Sequence, residues 1–269
     1  ALEVGLEIHK KRGDDIVAAL AGNPNVGKST VFNAMTGLRQ HTGNWAGKTV
    51  AGVQGYAFYE GQGYVLVDIP GCYSLDAHSA EEEVAGDFLR SGEYDVAVIV
   101  CDALCLERNM RLVLQVLRQT GQVVVCVNLM DEAEKKHIRI DLKELENRLG
   151  IPVVGTAARN GSGIEELYGA IKKLAGGNSE REKGAYGRRK PNGSLKTPEE
   201  ICRGIVKYED EKYAAGDRRK DRFFTGKITG IPVMLFLLFA VFWLTIVGAN
   251  YPSEALHAFF SSLEGKLMN

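Results

Sequence analysis

Short apolar runs alternate with longer segments of helical periodicity between residues 16 and 174. Runs rich in β-branched residues predict six strands, at 16–21, 53–60, 64–68, 96–101, 123–128 and 152–156. A 3.6-residue periodicity predicts helices at 28–36, 80–90, 107–119, 141–149 and 163–174. This alternation is typical of an α/β fold with a mostly parallel sheet. A tight turn at 61–63 predicts a hairpin, which makes one edge strand antiparallel.

The pattern changes after Leu174. The segment 176–196 is rich in glycine, serine and charge, which indicates a linker. Thr197 and Pro198 then favour the start of a helix that we expect to reach about residue 215. The run 231–249 has no charged residue and predicts a transmembrane helix, with a buried core helix as the alternative. We therefore expect three parts, at 14–175, 176–227 and 228–269, of which the last holds a first membrane span.

Charge and cysteine content narrow the possible functions. The 33 Lys and Arg residues balance 34 Asp and Glu residues, so no overall positive field would recruit nucleic acid. We interpret the five cysteines as reduced cytosolic thiols, and the five histidines have no metal-ligand spacing. A basic cluster precedes the apolar run, which predicts that the N-terminal part is cytoplasmic. It consists of Arg218, Arg219, Lys220, Arg222 and Lys227.

A phosphate-binding loop follows the first predicted strand. The motif G-x-x-x-x-G-K-[ST] is matched by Gly22, Asn23, Pro24, Asn25, Val26, Gly27, Lys28 and Ser29, and Thr30 follows. In such a loop, backbone N–H groups surround the phosphates, the lysine reaches the β and γ oxygens, and the serine hydroxyl binds Mg²⁺. We expect a nucleoside triphosphate here, and a plain glycine turn is the alternative.

Two short segments bear on which base is bound. Asn128 and Asp131 fit the N-x-x-D motif that recognises guanine, although Leu129 stands where lysine is usual. The Asp131 carboxylate could accept hydrogen bonds from guanine N1 and N2, which adenine cannot offer in that arrangement. Thr156, Ala157 and Ala158 resemble the segment whose backbone N–H binds the guanine carbonyl. An ordinary turn at the end of a strand is the alternative for N-x-x-D.

Two further segments resemble the switches of a GTPase. Asp68 and Gly71 fit D-x-x-G, in which the acid holds Mg²⁺ through water and the glycine N–H contacts the γ-phosphate. The polar, glycine-rich segment 41–49 suits a mobile first switch, with Thr49 as a second Mg²⁺ ligand. A long surface loop is the alternative for this segment.

Together these stretches resemble the ferrous iron transport protein B family of prokaryotes. The resemblance rests on GNPNVGKST, NWAGKTV, DIPGCYSL, EEEVAGDFL, LERN and NLMDEAEKKHIRID. It implies a P-loop GTPase domain of an inner-membrane Fe²⁺ transporter, multi-pass in the full protein, that uses GTP and GDP with Mg²⁺. The implied partners are lipid, the remaining membrane domain, Fe²⁺ as cargo, small accessory iron-transport proteins and a second copy of the chain.

The resemblance also bears on the rate of hydrolysis. Cys72 follows the D-x-x-G glycine, where many small GTPases have a water-orienting glutamine, so we expect slow intrinsic turnover. The family implies stimulation by K⁺, for which Asn25 is the candidate ligand; the alternative is that Asn25 only satisfies the loop backbone. With Lys28, Thr49 and Gly71, Asn25 completes the predicted catalytic group.

The family also differs from this chain in ways that leave other functions open. Many members carry a larger helical insertion after the G domain, and the chain stops after one predicted span, so we expect a fragment or a reduced form of a transporter. One alternative is a ribosome-assembly or translation-type GTPase, which predicts a basic RNA-binding domain after residue 174. Another is a membrane-tethered GTP switch with no transport role.

Overall fold

The computed structural model describes residues 8–37, 40–44, 51–76, 79–176, 197–208 and 230–248. The chain divides into two units, Ala1–Glu209 and Asp210–Asn269. The strands of the first unit are β1 (Ile16–Gly22), β2 (Gln40–Asn44), β3 (Ala51–Tyr59), β4 (Gln62–Asp68), β5 (Val96–Asp102), β6 (Val123–Asn128), β7 (Ile138–Ile140), β8 (Val153–Gly155) and β9 (Val206–Tyr208). Its helices are α1 (Lys28–Thr36), α2 (Ala80–Ser91), α3 (Leu106–Leu117), α4 (Met130–Lys135), α5 (Leu142–Leu149), α6 (Ile164–Gly176) and α7 (Pro198–Cys202).

Seven strands form the main sheet in the order β2-β3-β4-β1-β5-β6-β8. The pairs from β4 through β1, β5 and β6 to β8 are parallel, whereas β3 is antiparallel to both of its neighbours. The predicted α/β class, with a mostly parallel sheet and one antiparallel strand, is therefore confirmed, but the antiparallel strand β3 is not at the edge as predicted, because β2 pairs on its outer side. Since parallel strands share their carboxyl edge, the loops after β1, β4 and β6 meet there.

Helices cover both faces of this sheet. Successive β1 residues alternate between two cores, with Val17 and Ala19 on one face and Ala18 and Leu20 on the other. The first core includes residues of α2, α3, α5 and α7, and the second includes residues of α1 and α6. Because both faces are buried, the central strands consist of nearly continuous apolar sequence.

The prediction of six sheet strands was one strand short. Residues 41–44, which we expected to be part of a mobile loop, belong to the outer strand β2 and pair with β3. The sequence QHTGN has no apolar alternation, so its pairing depends on backbone groups that the edge of β3 offers to any extended segment. The rest of the predicted first switch, 45–49, which includes Thr49, lies outside the described residues.

The helix expected from Thr197 to about residue 215 was also wrong in its extent. Thr197 caps α7 in a capping box with Glu200, as its sequence favours, but the helix ends at Cys202. Gly204 then adopts a left-handed φ of 77°, and β9 pairs antiparallel with β7 as a second, two-stranded sheet. The residues after Gly204 therefore pair with the edge of β7 instead of continuing the helix.

The second unit contains one described helix, α8 (Gly230–Gly248). Its position matches the uncharged run of the sequence, and Phe236 and Phe239 are among its exposed apolar side chains. Over the described ranges, no helix combines the length and the apolar character needed to cross a bilayer. The span expected at 231–249 is therefore not shown. The linker 177–196 and the basic cluster at 218–227 lie outside the described residues.

Arg148 adds hydrogen bonds to the apolar packing and strand pairing that join the segment 197–208 to the rest of the first unit. The Arg148 Nη1 atom donates to the carbonyl oxygens of Glu200 at 3.3 Å, Ile201 at 2.9 Å and Arg203 at 2.8 Å. Its Nε donates to Glu144 at 2.7 Å. Arg148 thus satisfies the carbonyl groups that the end of a helix leaves without partners.

Replacing Arg148 by methionine should loosen this segment while the main sheet stays intact. Loss of these charge-assisted hydrogen bonds should cost roughly 1–3 kcal/mol locally. We expect at least about tenfold faster amide exchange at Lys207, whose N–H faces β7 in the antiparallel register, measured by hydrogen exchange, with unchanged protection in β1 and β5. Lys143→Met on the same helix is the matched control. Equal exchange in the Arg148 and Lys143 variants would contradict this role.

Candidate functional site

The P-loop connects the end of β1 to the start of α1. Asn25 and Gly27 have left-handed φ angles of 66° and 80°, which turn the chain sharply before Lys28 begins α1. A Cβ atom on Gly27 would lie 2.4 Å from the Asn128 Nδ2 atom, so this position requires glycine. Lys28, Ser29 and Thr30 form the first turn of α1, where backbone N–H groups are free to bind an anion.

Asn128 connects three loops at the carboxyl edge of the sheet. Its Nδ2 donates to the P-loop carbonyl of Val26 at 3.2 Å. Its Oδ1 accepts from the Thr156 hydroxyl and from the Ala158 N–H, both at 3.1 Å. Asn128 itself is 1% exposed. The three loops that follow β1, β6 and β8 are thus held together by one buried amide.

Further bonds fix the position of the loop that carries Thr156. The Thr156 N–H donates to the carbonyl oxygen of Val127 at 2.8 Å, and the Thr156 carbonyl oxygen accepts from the Met130 N–H at 3.1 Å. The Cys126 thiol lies 3.2 Å from the Thr156 hydroxyl. Ala157 and Ala158 are buried beside it. The N-x-x-D loop and the segment 156–158 therefore form one hydrogen-bonded unit.

Asp131 lies in the first turn of α4. Leu129 precedes this helix with a left-handed φ of 65°, so α4 starts immediately after β6. The Asp131 side chain is 21% exposed, and its carboxylate lies 3.9 Å from the Lys135 ammonium one turn later. A partly exposed carboxylate three residues after Asn128 can accept hydrogen bonds from a ligand.

Lys28 and Asp68 form an ion pair at this edge. Asp68 ends β4, and its carboxylate contacts the Lys28 ammonium at the start of α1. Both side chains are mostly buried. The carboxylate of the D-x-x-G motif and the ammonium of the P-loop therefore lie in direct contact. Carboxylate and hydroxyl oxygens, from Asp68 and Ser29, are the donors that Mg²⁺ prefers, so the residues present fit this ion.

Gly71 and Cys72, at the end of the D-x-x-G motif, lie against the P-loop. The Cys72 N–H donates to Gly22 O at 3.2 Å, and a Cβ atom on Gly71 would lie 3.4 Å from Pro24. Burial raises the pKa of the Cys72 thiol to about 12, with a further increase from Glu82 and a smaller opposite effect from Lys28. The thiol therefore stays protonated near neutral pH and cannot serve as a base.

Asn23 is a buried P-loop residue with no side-chain partner among the described residues. It is 2% exposed, and its Oδ1 and Nδ2 atoms are both buried without a hydrogen bond. Asn25, by contrast, is exposed. Its amide oxygen is a hard donor, so the residue present is compatible with K⁺ as one of several oxygen ligands.

Sequence patterns did not identify Gln115 of α3, which contacts the segment after Gly71. Its Oε1 atom accepts from the Leu75 N–H at 2.9 Å. The only sequence signal is a polar residue between the buried residues Leu114 and Val116.

A cleft of about 700 Å³ lies between the start of α3 and α7. It is lined by other residues, among them Cys105 and Arg203, and by none of the predicted site residues.

The fold and the loops at its carboxyl edge define a P-loop GTPase G domain. The family described as ferrous iron transport protein B matches residues 16–171. The chain therefore belongs to the ferrous iron transport protein B family.

Individual relatives agree with this assignment. The Fe(2+) transporter FeoB of Salmonella typhimurium is 43% identical over 162 residues, which cover 59% of this chain and 21% of that protein. The G domain of the T. maritima FeoB iron transporter is 41% identical with a TM-score of 0.57, over 60% of this chain and 98% of that chain. The cytosolic domain of the same transporter in a GDP form is 32% identical with a TM-score of 0.58, over 79% of this chain and 74% of that chain. The matched part of this chain thus spans about a fifth of the length of the Salmonella transporter.

Replacing Thr156 by valine should weaken the junction of the three loops. Valine has a similar shape but donates no hydrogen bond to Asn128, which should lower the free energy of unfolding by about 1–2 kcal/mol. Urea denaturation measures this change. Thr156→Ser, which keeps the hydroxyl, is the control and should lose less. If serine costs as much as valine, packing rather than the hydrogen bond stabilises the junction.

Proposed function

We propose that the chain binds GTP and GDP and hydrolyses GTP, and that this activity regulates or drives Fe²⁺ uptake. The observation that carries the proposal is the Asn128 junction, which joins the P-loop to the N-x-x-D loop and the segment 156–158. A phosphate-binding loop and a base-binding loop held a fixed distance apart suit a nucleotide. The relatives support the proposal, since one of them was solved in a GDP form.

Guanine selectivity is assigned to Asp131 and the segment 156–158. The Asp131 carboxylate would accept from guanine N1 and N2, and a backbone N–H of Ala157 or Ala158 would donate to the guanine carbonyl. Adenine offers neither the paired donors nor that acceptor. Asn128 is a positioning residue in this arrangement, because its side-chain atoms are already bonded to the surrounding loops.

The phosphates are assigned to the residues from Gly22 to Thr30. Lys28, now paired with Asp68, would turn its ammonium to the β and γ oxygens, and Asp68 would then be free to hold Mg²⁺ through water. Ser29 would hold Mg²⁺ through its hydroxyl, with Thr49 as the proposed second ligand. Mg²⁺ when bound would neutralise charge that develops on the β and γ oxygens.

Hydrolysis would depend on the positions of backbone groups. Cys72 is buried and protonated, so it can neither act as a base nor orient the attacking water as glutamine does elsewhere. The Gly71 N–H donates to no acceptor in the described parts of the chain and would hold the γ-phosphate. We propose that the Asn25 side chain holds K⁺ beside the phosphates, which offsets the missing glutamine.

The transport role rests on family membership. We propose that the G domain is cytoplasmic and that 228–269 begins the membrane part of an inner-membrane transporter. The charge-free run at 231–249 and the basic cluster before it support this placement. Lipid, the remaining membrane domain and Fe²⁺ are then the partners, with accessory iron-transport proteins and a homo-oligomer as further proposals. We expect no nucleic acid among the partners, because the net charge is close to zero.

Asp131→Asn tests the proposed base recognition. An amide donates where the carboxylate accepts, so the variant should bind guanosine nucleotides at least about a hundredfold more weakly and prefer xanthosine nucleotides. Fluorescence titration with labelled GDP and XDP measures both affinities. Glu132→Gln, in the same helical turn, is the control and should keep guanine selectivity. An Asp131 variant that still prefers guanine would remove this residue from the site.

Asn25→Gly tests the K⁺ site, because glycine accepts the left-handed φ of this position but has no side-chain oxygen. The wild type should hydrolyse GTP about tenfold or more faster in KCl than in NaCl, because K⁺ adds positive charge next to the transferred phosphate. The variant should show the same slow rate in both salts, while its affinity for GDP changes little. Phosphate release assays at equal ionic strength measure this difference. Equal wild-type rates in the two salts would contradict the assignment.

A further inference from the structure

The segment from Cys72 to Asp76 is held by several separate contacts, although it follows the γ-phosphate-sensing glycine. The Cys72 N–H donates to the P-loop carbonyl of Gly22. The Tyr73 N–H donates to the Glu82 carboxylate of α2 at 3.3 Å. Cys72 and Leu75 have buried side chains, whereas Tyr73 is 48% exposed. The segment therefore has a defined path between the P-loop and the helices on one face of the sheet.

Gln115 makes three of the hydrogen bonds that define this path. Its Oε1 accepts from the Leu75 N–H at 2.9 Å. Its Nε2 donates to the Ser74 hydroxyl at 2.9 Å and to the Asp76 carboxylate at 3.1 Å. Ser74 and Asp76 are bonded to each other in a local turn at 3.1 Å. One amide side chain thus contacts three consecutive residues, and both ends of its dipole are used.

Gln115 itself stands on a rigid support. It lies on α3 between Leu114 and Val116, which are 7% and 0% exposed. Met110 and Val113 on the same helix are fully buried in the core that includes strands β1, β5 and β6. A side chain anchored on a packed helix can transfer the position of that helix to a loop.

We propose that Gln115 is a positioning residue of the GTPase site, which holds the segment after Gly71 so that the Gly71 N–H is aligned with the γ-phosphate. The inference rests on the proposed hydrolysis of GTP. It follows from the two sets of contacts: Gly22 fixes the segment directly after Gly71, and Gln115 fixes it again at Leu75. Because Cys72 cannot orient water, the alignment of this backbone carries more of the catalytic effect than in a GTPase with glutamine.

The test compares Gln115→Leu with the wild type in the full chain. Leucine keeps the volume but removes all three hydrogen bonds, so the rate of GTP hydrolysis should fall about tenfold. The affinity for GDP, which has no γ-phosphate, should stay within about twofold. Amide exchange at Leu75 should be faster without any nucleotide. Gln119→Leu, just beyond the end of α3, is the matched control and should match the wild type in all three measurements.

A pair of substitutions separates the hydrogen bonds from other effects of the change. Gln115→Glu loses both donor contacts and places a carboxylate beside Asp76, so it should be slow. The double variant with Asp76→Asn has an amide at position 76, which can donate to the carboxylate now at position 115. This variant should therefore recover much of the rate. Rescue of this kind is not expected if the single substitution merely disturbs folding.

The outcomes distinguish this inference from the proposed function. If the wild type hydrolyses GTP and the Gln115→Leu variant keeps its rate and its slow exchange at Leu75, the positioning role is wrong. If the wild type binds GDP but does not hydrolyse GTP, the proposed activity fails, and exchange at Leu75 still tests whether Gln115 holds the segment. A rate loss with an equal loss of GDP affinity would also overturn the inference, since it would indicate general damage to the site.

Discussion

The candidate site depends on one buried amide. Asn128 is 1% exposed, so its polar atoms must be satisfied within the protein, and groups from the loops after β1 and β8 satisfy them. The same side chain forces glycine at position 27, because no Cβ fits beside its Nδ2 atom. A binding site for a large ligand is thereby fixed before the ligand arrives, which lowers the entropy that binding has to overcome.

The parts of the fold that follow from burial could be predicted from the sequence. Strands β1, β5 and β6 are covered on both faces, so their apolar runs were sufficient to locate them within a residue or so. Strand β2 was missed because its pairing uses backbone groups and leaves no hydrophobic pattern. The segment at 203–208 was misjudged because Gly204 and the free edge of β7 outweigh local helix propensity.

For the site, motifs located the loops but not the contacts between them. The spacing around Lys28 and Asp131 places each on its loop, and parallel strands bring the loops to one edge. Lys28 contacts Asp68, and Gln115 contacts Leu75, and in both cases the two residues are 40 positions apart in the chain. These contacts arise from tertiary packing. No local pattern marks such pairs, because a single polar residue on an apolar helix has many possible partners.

The central claim is that the loops joined by Asn128 form a site for guanine nucleotides. Isothermal titration calorimetry of the wild-type chain with GDP and with ADP, both with Mg²⁺, tests it most directly. The account predicts saturable heat with GDP, one nucleotide per chain, and no measurable binding of ADP at the same concentrations. Equal affinity for the two nucleotides, or no heat with GDP from folded protein, would contradict it.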